Sequence, residues 1–174
     1  MRKNKKDYLI VDGYNIINAW DELKNIAITD LEHAREKLID AITEYAEFTG
    51  RLGIIVFDAY NLDRLKETSI EKYGMKIVFT KRFQTADTYI EAELARIARR
   101  HNVKVVTDDG QVQNMALVKG ASRMTALELK TDLDILRSKI KKSKKVSFNE
   151  NYDAYPISKA LKAKLDELKI DLDD

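Results

Sequence analysis

The chain contains no cysteine. That excludes disulfides, thiolate metal sites and cysteine nucleophiles, and it suits a reducing compartment. Its two histidines, His33 and His101, are isolated in the sequence, which argues against a histidine-rich metal site. One proline and six glycines among 174 residues, with 44% hydrophobic residues, place the chain with folded globular domains and away from disordered ones. An excess of one charge is missing too: 31 Lys+Arg stand against 29 Asp+Glu, so any argument for an anionic partner must rest on where charges sit. No stretch approaches the ~20 apolar residues of a membrane span. The apolar run Tyr8-Leu-Ile-Val11 behind the basic start is too short for a signal sequence. The expectation is a cytoplasmic protein without membrane attachment, of a length that suits one hydrophobic core. No Gly-x-Gly-x-x-Gly follows the first strand and no Gly-Lys-Ser/Thr occurs, which removes the main support for dinucleotide and P-loop readings.

What is present is a set of short, continuous apolar runs: Tyr8-Leu-Ile-Val11, Gly53-Ile-Ile-Val-Phe57, Met75-Lys-Ile-Val-Phe79 and Val103-Lys-Val-Val106. Such runs mark strands buried on both faces. Helical periods separate them. Leu31, Ala34, Leu38, Ala41, Ile42 and Tyr45 form a stripe over 31–48, with Thr29 and Glu32 as a capping pair and Gly50 as the stop. Ile90, Leu94 and Ile97 form a second stripe over 86–101 behind Thr85 as N-cap. A short helix is expected after Asp109, and Thr125 with Glu128 opens a last core helix carrying Leu129, Leu133, Leu136 and Ile140. Strand and helix in alternation predict a Rossmann-like three-layer α/β/α sandwich with a central parallel sheet. The core is expected over 1–145. Residues 146–174 then form a C-terminal appendage, with an extended linker near 149–156 and an amphipathic helix near 157–170.

In open parallel sheets, ligands bind beyond the carboxyl ends of the strands. Asp12, Asp58 and the pair Asp108-Asp109 follow three of the runs, and the fourth leads through Thr80-Lys-Arg-Phe-Gln-Thr85 to Asp87. Aspartate after a strand is often only a helix cap. Several together repel one another, and a hard cation with oxygen ligands, Mg²⁺ or Mn²⁺, would neutralise them and activate water against a phosphodiester. Glu91, one helical turn beyond Asp87, could add a ligand or pair with a nearby arginine. For RNA, Lys81 and Arg82 offer charge to phosphates while Phe83 and Tyr14 offer aromatic faces. Trp20 fits ordinary packing better, and the lysines of 141–145 suit either RNA contact or a solvated helix end.

The pieces Val11-Asp-Gly-Tyr-Asn-Ile-Ile17, Phe57-Asp-Ala59, Thr80-Lys81 with Thr85-Ala-Asp-Thr88, and Val105-Val-Thr-Asp-Asp109 resemble, in order and spacing, the YacP-like branch of the NYN domains, relatives of the PIN-domain ribonucleases. The resemblance covers roughly residues 7–140. It implies a PIN-like fold and a metal-dependent endoribonuclease, with Asp12, Asp87 and Asp109 as catalytic metal-binding acids. It also implies RNA as partner, with mRNA on translating ribosomes in part of the family. Asn15 matches the asparagine expected to orient Asp12 or a metal-bound water, and Asp58 and Thr107 fall in supporting positions. Asp108, where relatives usually have serine, adds a carboxylate that could also meet the metal, and Gln84 replaces an acid common in relatives. A non-catalytic RNA- or ribosome-binding module and a metal-dependent phosphatase are the alternative readings. The sequence carries no signal of oligomeric state.

Overall fold

The protein is described from a computed structural model, which covers residues 5–58 and 67–153. The chain divides into two units, Met1–Asp134 and Ile135–Asp174. In the first, β1 (Asp7–Asp12) leads through three helices, α1 (Gly13–Ala19), α2 (Asp21–Thr29) and α3 (Leu31–Thr49), to β2 (Leu52–Phe57). A hairpin of β3 (Thr68–Lys72) and β4 (Met75–Phe79) follows, then α4 (Ala86–Ile97), β5 (Asn102–Val106), α5 (Gly110–Val118) and β6 (Ser122–Met124); α6 (Ala126–Asp153) begins in this unit and continues into the second.

The six strands form one sheet in the order β3-β4-β2-β1-β5-β6, parallel throughout except for β3. The four apolar runs are its four central strands. Because side chains alternate across a strand, Ile10, Ile54, Val56 and Val105 face one side. There they form a core with Tyr89, Ile90 and Leu94 of α4 and Val112 and Ala116 of α5. Leu9, Val11, Ile55 and Phe57 point the other way, are equally buried, and lie on the side taken by α1 and α3. Each such fully buried side chain contributes on the order of 1.5–3 kcal/mol. The result is the expected three-layer α/β/α sandwich.

Several details differ from expectation. β3 and β6 extend the sheet on either side, and neither has an apolar run: β3 reads Thr-Ser-Ile-Glu-Lys and is an exposed, polar edge. The hairpin closes on Tyr73 and Gly74, both at positive φ, the geometry that two-residue hairpin turns require. The cap of α3 is Asp30, whose carboxylate accepts the His33 N–H at 2.9 Å; Thr29 ends the preceding helix. Thr85 and the Thr125–Glu128 box cap α4 and α6 as read from the sequence. α6 does not stop at 141–145 but runs to Asp153, into the stretch expected to be a linker. The lysines there break the apolar stripe, which reports burial, while keeping good helix propensity. The amphipathic helix expected near 157–170 lies outside the described residues.

Candidate metal centre and active edge

The parallel register fixes which residues share an edge. Asp12 is the last residue of β1 and pairs with Val56, one residue before the end of β2; Phe57 pairs with Phe79 at the end of β4, and Val11 with Val106 at the end of β5. Asp12, Asp58, the turn before Asp87, and Thr107 to Asp109 therefore all emerge at the same edge. The sandwich brings together carboxylates separated by nearly a hundred residues of sequence.

Asp12 is the buried member, 8% exposed. It holds the N-cap position of α1 without a side-chain cap hydrogen bond, and the Thr107 hydroxyl donates to its Oδ2 at 3.3 Å. Burial pushes its carboxyl up to about 6, with the charges of Asp87 and Asp109 pushing the same way; the Asn15 N–H and Thr107 oppose them. Asp87, exposed in the first turn of α4, is also raised, by desolvation and by Asp109 and Asp58. The charges acting on Asp12 among the described residues are thus acidic. The close approach of α1 to the sheet depends on Gly13: a Cβ there would collide with the Phe57 ring and stand 3.0 Å from the Val56 carbonyl oxygen.

Thr107 ties the edge together. It is fully buried, its hydroxyl accepts the Asp109 N–H at 3.1 Å as well as donating to Asp12, and its carbonyl receives Gln113 Nε2 at 2.6 Å. Asp109 has a double role, since its Oδ1 caps α5 through the N–H groups of Gln111 and Val112 at 2.7 and 3.2 Å. Beyond the action of its N–H on Asp12, Asn15 reaches the next loop: its side-chain oxygen accepts the Asp108 N–H at 2.7 Å, fixing the β5–α5 loop. Asp108 turns its carboxylate to the Ala126 N–H at 2.8 Å and so anchors the start of α6. Glu91 pairs at 3.4 Å with Lys119, the residue that caps the end of α5, where the sequence suggested an arginine partner. Tyr14 packs its ring on Phe57, centroids 5.2 Å apart, which leaves it less open than an RNA-stacking face would be. Trp20 is buried and donates from Nε1 to the Ala126 carbonyl at 3.0 Å.

One residue escaped the sequence reading. Arg35 is nearly buried, its side chain 12% exposed; its Nε donates to the Tyr14 hydroxyl at 2.9 Å, it pairs with Glu32, and its guanidinium lies near the Tyr14 and Phe79 rings. The signal was available, because Arg35 falls on the apolar stripe between Leu31 and Leu38, where a cation is out of place. Between β4 and α4, the turn 81–84 exposes Lys81, Arg82 and Phe83, with Phe83 at φ +65°. Gln84 carries a buried Oε1 with no hydrogen bond.

The donor set at this edge is all oxygen, with three like charges and one of them desolvated, which suits a hard divalent cation. Among the described residues no three acidic or imidazole groups already surround a point at ligand distance, so the acids share a field and not a preformed cage. No described helix is long and apolar enough to cross a membrane.

Comparison with known proteins agrees with this architecture. The profile of the YacP-like NYN domain matches residues 9–170. The protein YacP of Bacillus subtilis (strain 168), itself described as uncharacterized, is 35% identical over 139 residues, spanning 78% of this chain and 80% of YacP. The crystal structure of Rae1 (YacP) from Bacillus subtilis superposes with a TM-score of 0.68 at 30% identity, covering 96% of this chain and 97% of the other. A mutant of the same protein gives 0.68 at 34% identity, over 81% and 83% of the two chains. The chain belongs to the YacP-like NYN family.

Proposed function

We propose that this protein is a metal-dependent endoribonuclease that hydrolyses RNA phosphodiester bonds, with Asp12, Asp87 and Asp109 holding Mg²⁺ or Mn²⁺. The observation that carries the reading is Asp12: a carboxyl 8% exposed, raised to about 6, in the field of two further acids and held by a buried threonine. A fold accepts such repulsion at a strand end when a ligand relieves it. A bound divalent ion supplies an activated water and neutralises charge on the leaving oxygen. The chain's own contributions are separate: Thr107 orients Asp12, Asn15 and Asp108 fix the loop that carries Asp109, and Lys81 and Arg82 offer charge to the RNA backbone. mRNA in the cytoplasm, met on the ribosome, is the substrate setting we propose from the family resemblance.

The test is incubation of the purified protein with single-stranded, structured and ribosome-bound mRNA, with Mg²⁺, Mn²⁺ or chelator, beside Asp87→Asn. Internal cuts that need the metal and vanish in the variant support the reading. Cuts that persist in Asp87→Asn or in chelator refute it, and binding without cuts on all three substrates identifies a binding module instead.

A further inference from the structure

The turn after β4 holds a bulky aromatic where the backbone favours glycine. The Gln84 N–H donates to the Lys81 carbonyl at 3.0 Å, closing a four-residue turn whose third member is Phe83. Its φ of +65° lies in the left-handed region, which glycine or asparagine adopts readily and a large side chain does not. Tyr73, the other described non-glycine residue at positive φ, sits in the hairpin turn where such an angle aligns β3 with β4. Phe83 closes no hairpin. Packing does not hold it either: at 93% it is the most exposed of the described large hydrophobic side chains. The Arg82 guanidinium lies 4.8 Å from its ring centroid. A side chain that contributes little to the fold, held in a strained conformation, points to a use outside the fold.

Its position and neighbours define that use. The turn opens on the edge that carries Asp12, and three residues after Phe83 the chain enters α4, whose first turn bears Asp87. Lys81 and Arg82 are exposed beside the ring. Cations for phosphates next to an open aromatic face suit a single strand, because a base within a duplex is already stacked on its neighbours, whereas an unpaired base has a free face. We propose that Phe83 is a stacking platform for an unpaired nucleobase of the strand presented to the acidic edge, so that the enzyme selects RNA that is single-stranded at the site. This rests on the endoribonuclease reading and narrows its substrate class.

The experiment uses the full chain in an Asp87→Asn background with Mg²⁺, alone and combined with Phe83→Gly or Phe83→Trp. Binding is measured to a single-stranded RNA containing 2-aminopurine and to the same strand in a duplex. Phe83→Gly suits the backbone angle, so its Tm should equal or exceed that of the background, which separates loss of binding from loss of fold. The expected result is a loss of roughly 5- to 150-fold in single-strand affinity for Phe83→Gly, the range for removing one stacking partner. Duplex binding should change less than about twofold, and Phe83→Trp should retain affinity and quench 2-aminopurine. Unchanged single-strand affinity in Phe83→Gly overturns the proposal. So does an equal loss on both RNAs, or a loss seen only with purified ribosomes, which would assign the ring to a protein contact. If the wild-type protein neither binds nor cuts any RNA, the endoribonuclease reading itself fails; if it does both and only the Phe83 comparison is flat, the stacking role alone fails.

Discussion

The two ends of the sheet handle charge in opposite ways. At the amino ends of β1, β2 and β4 lies a cavity of about 230 Å³ lined by Tyr8, Leu52, Met75, Lys76, Glu93 and Arg96 among others. Its buried acid, Glu93, is 7% exposed and held by Arg96 through Nε at 3.0 Å, while Lys76 donates to the Tyr89 hydroxyl at 2.9 Å. That hydrogen bond raises the Lys76 ammonium, as an ordinary structural partner does. At the carboxyl ends, Asp12 is as buried as Glu93, but the charges acting on it are more acids. Burial alone therefore does not mark a functional carboxylate. The mark is burial among like charges, where the fold leaves a repulsion that a ligand can relieve.

This contrast can be broken in several ways. The largest effect should come from Asp87→Asn, which is expected to lower metal-dependent RNA cleavage by at least about 100-fold, since metal-derived stabilisation of the transition state amounts to several kcal/mol. Circular dichroism should show an unchanged fold, because Asp87 is exposed and Thr85, not Asp87, caps α4.

Next is Asp12→Asn. The folded-state carboxyl lies at about 6 against 3.8 for an ordinary aspartate, so the folded protein binds more protons than the unfolded chain between those values. Stability in the absence of divalent cations should therefore fall as pH rises from about 4 to about 6 and then level off. Asp12→Asn should remove that slope and raise stability at neutral pH by up to about 3 kcal/mol, read from chemical denaturation in chelator. An equal slope in the variant would show that a group other than Asp12 titrates there.

The other end should behave conventionally. Glu93→Ala is expected to cost on the order of 1–2 kcal/mol through lost hydrogen bonds and packing, and to leave cleavage within about twofold of wild type. The smallest effect is assigned to Glu91→Gln. Glu91 is exposed and Lys119 is only half-buried, so removing the pair should alter stability by less than about 1 kcal/mol and leave cleavage intact. A large loss of cleavage would return Glu91 to the metal.

What was legible in the sequence follows from how strongly burial constrains residue choice. The four central strands need apolar residues on both faces, so their runs stand out; β3 and β6 lie outside them and have no such requirement. Helix ends written in Thr85, Gly50 and the Thr125–Glu128 pair were readable because capping chemistry is local. Thr29 and Asp30 are both competent caps, and which one is used depends on where α2 ends. At the site, the edge position of Asp12, Asp87 and Asp109 was readable because parallel topology dictates it. The direction of each side chain was not. Asp108 and Asn15 serve the loop and the start of α6 through contacts spanning 18 and 93 residues, which no local pattern encodes. Arg35 was overlooked because helix patterns are read for apolar residues, and its place among them became informative only beside Tyr14.

The central claim is that the acids of one edge share a cation, and the most direct measurement is calorimetric titration of Mn²⁺ into the wild-type protein and into Asp12→Asn, Asp87→Asn and Asp109→Asn. The wild type should show saturable binding near pH 6 with release of a proton as the cation displaces it from Asp12, and each substitution should weaken or abolish that binding. Absence of binding in the wild type, or equal binding in all four proteins, would contradict the account.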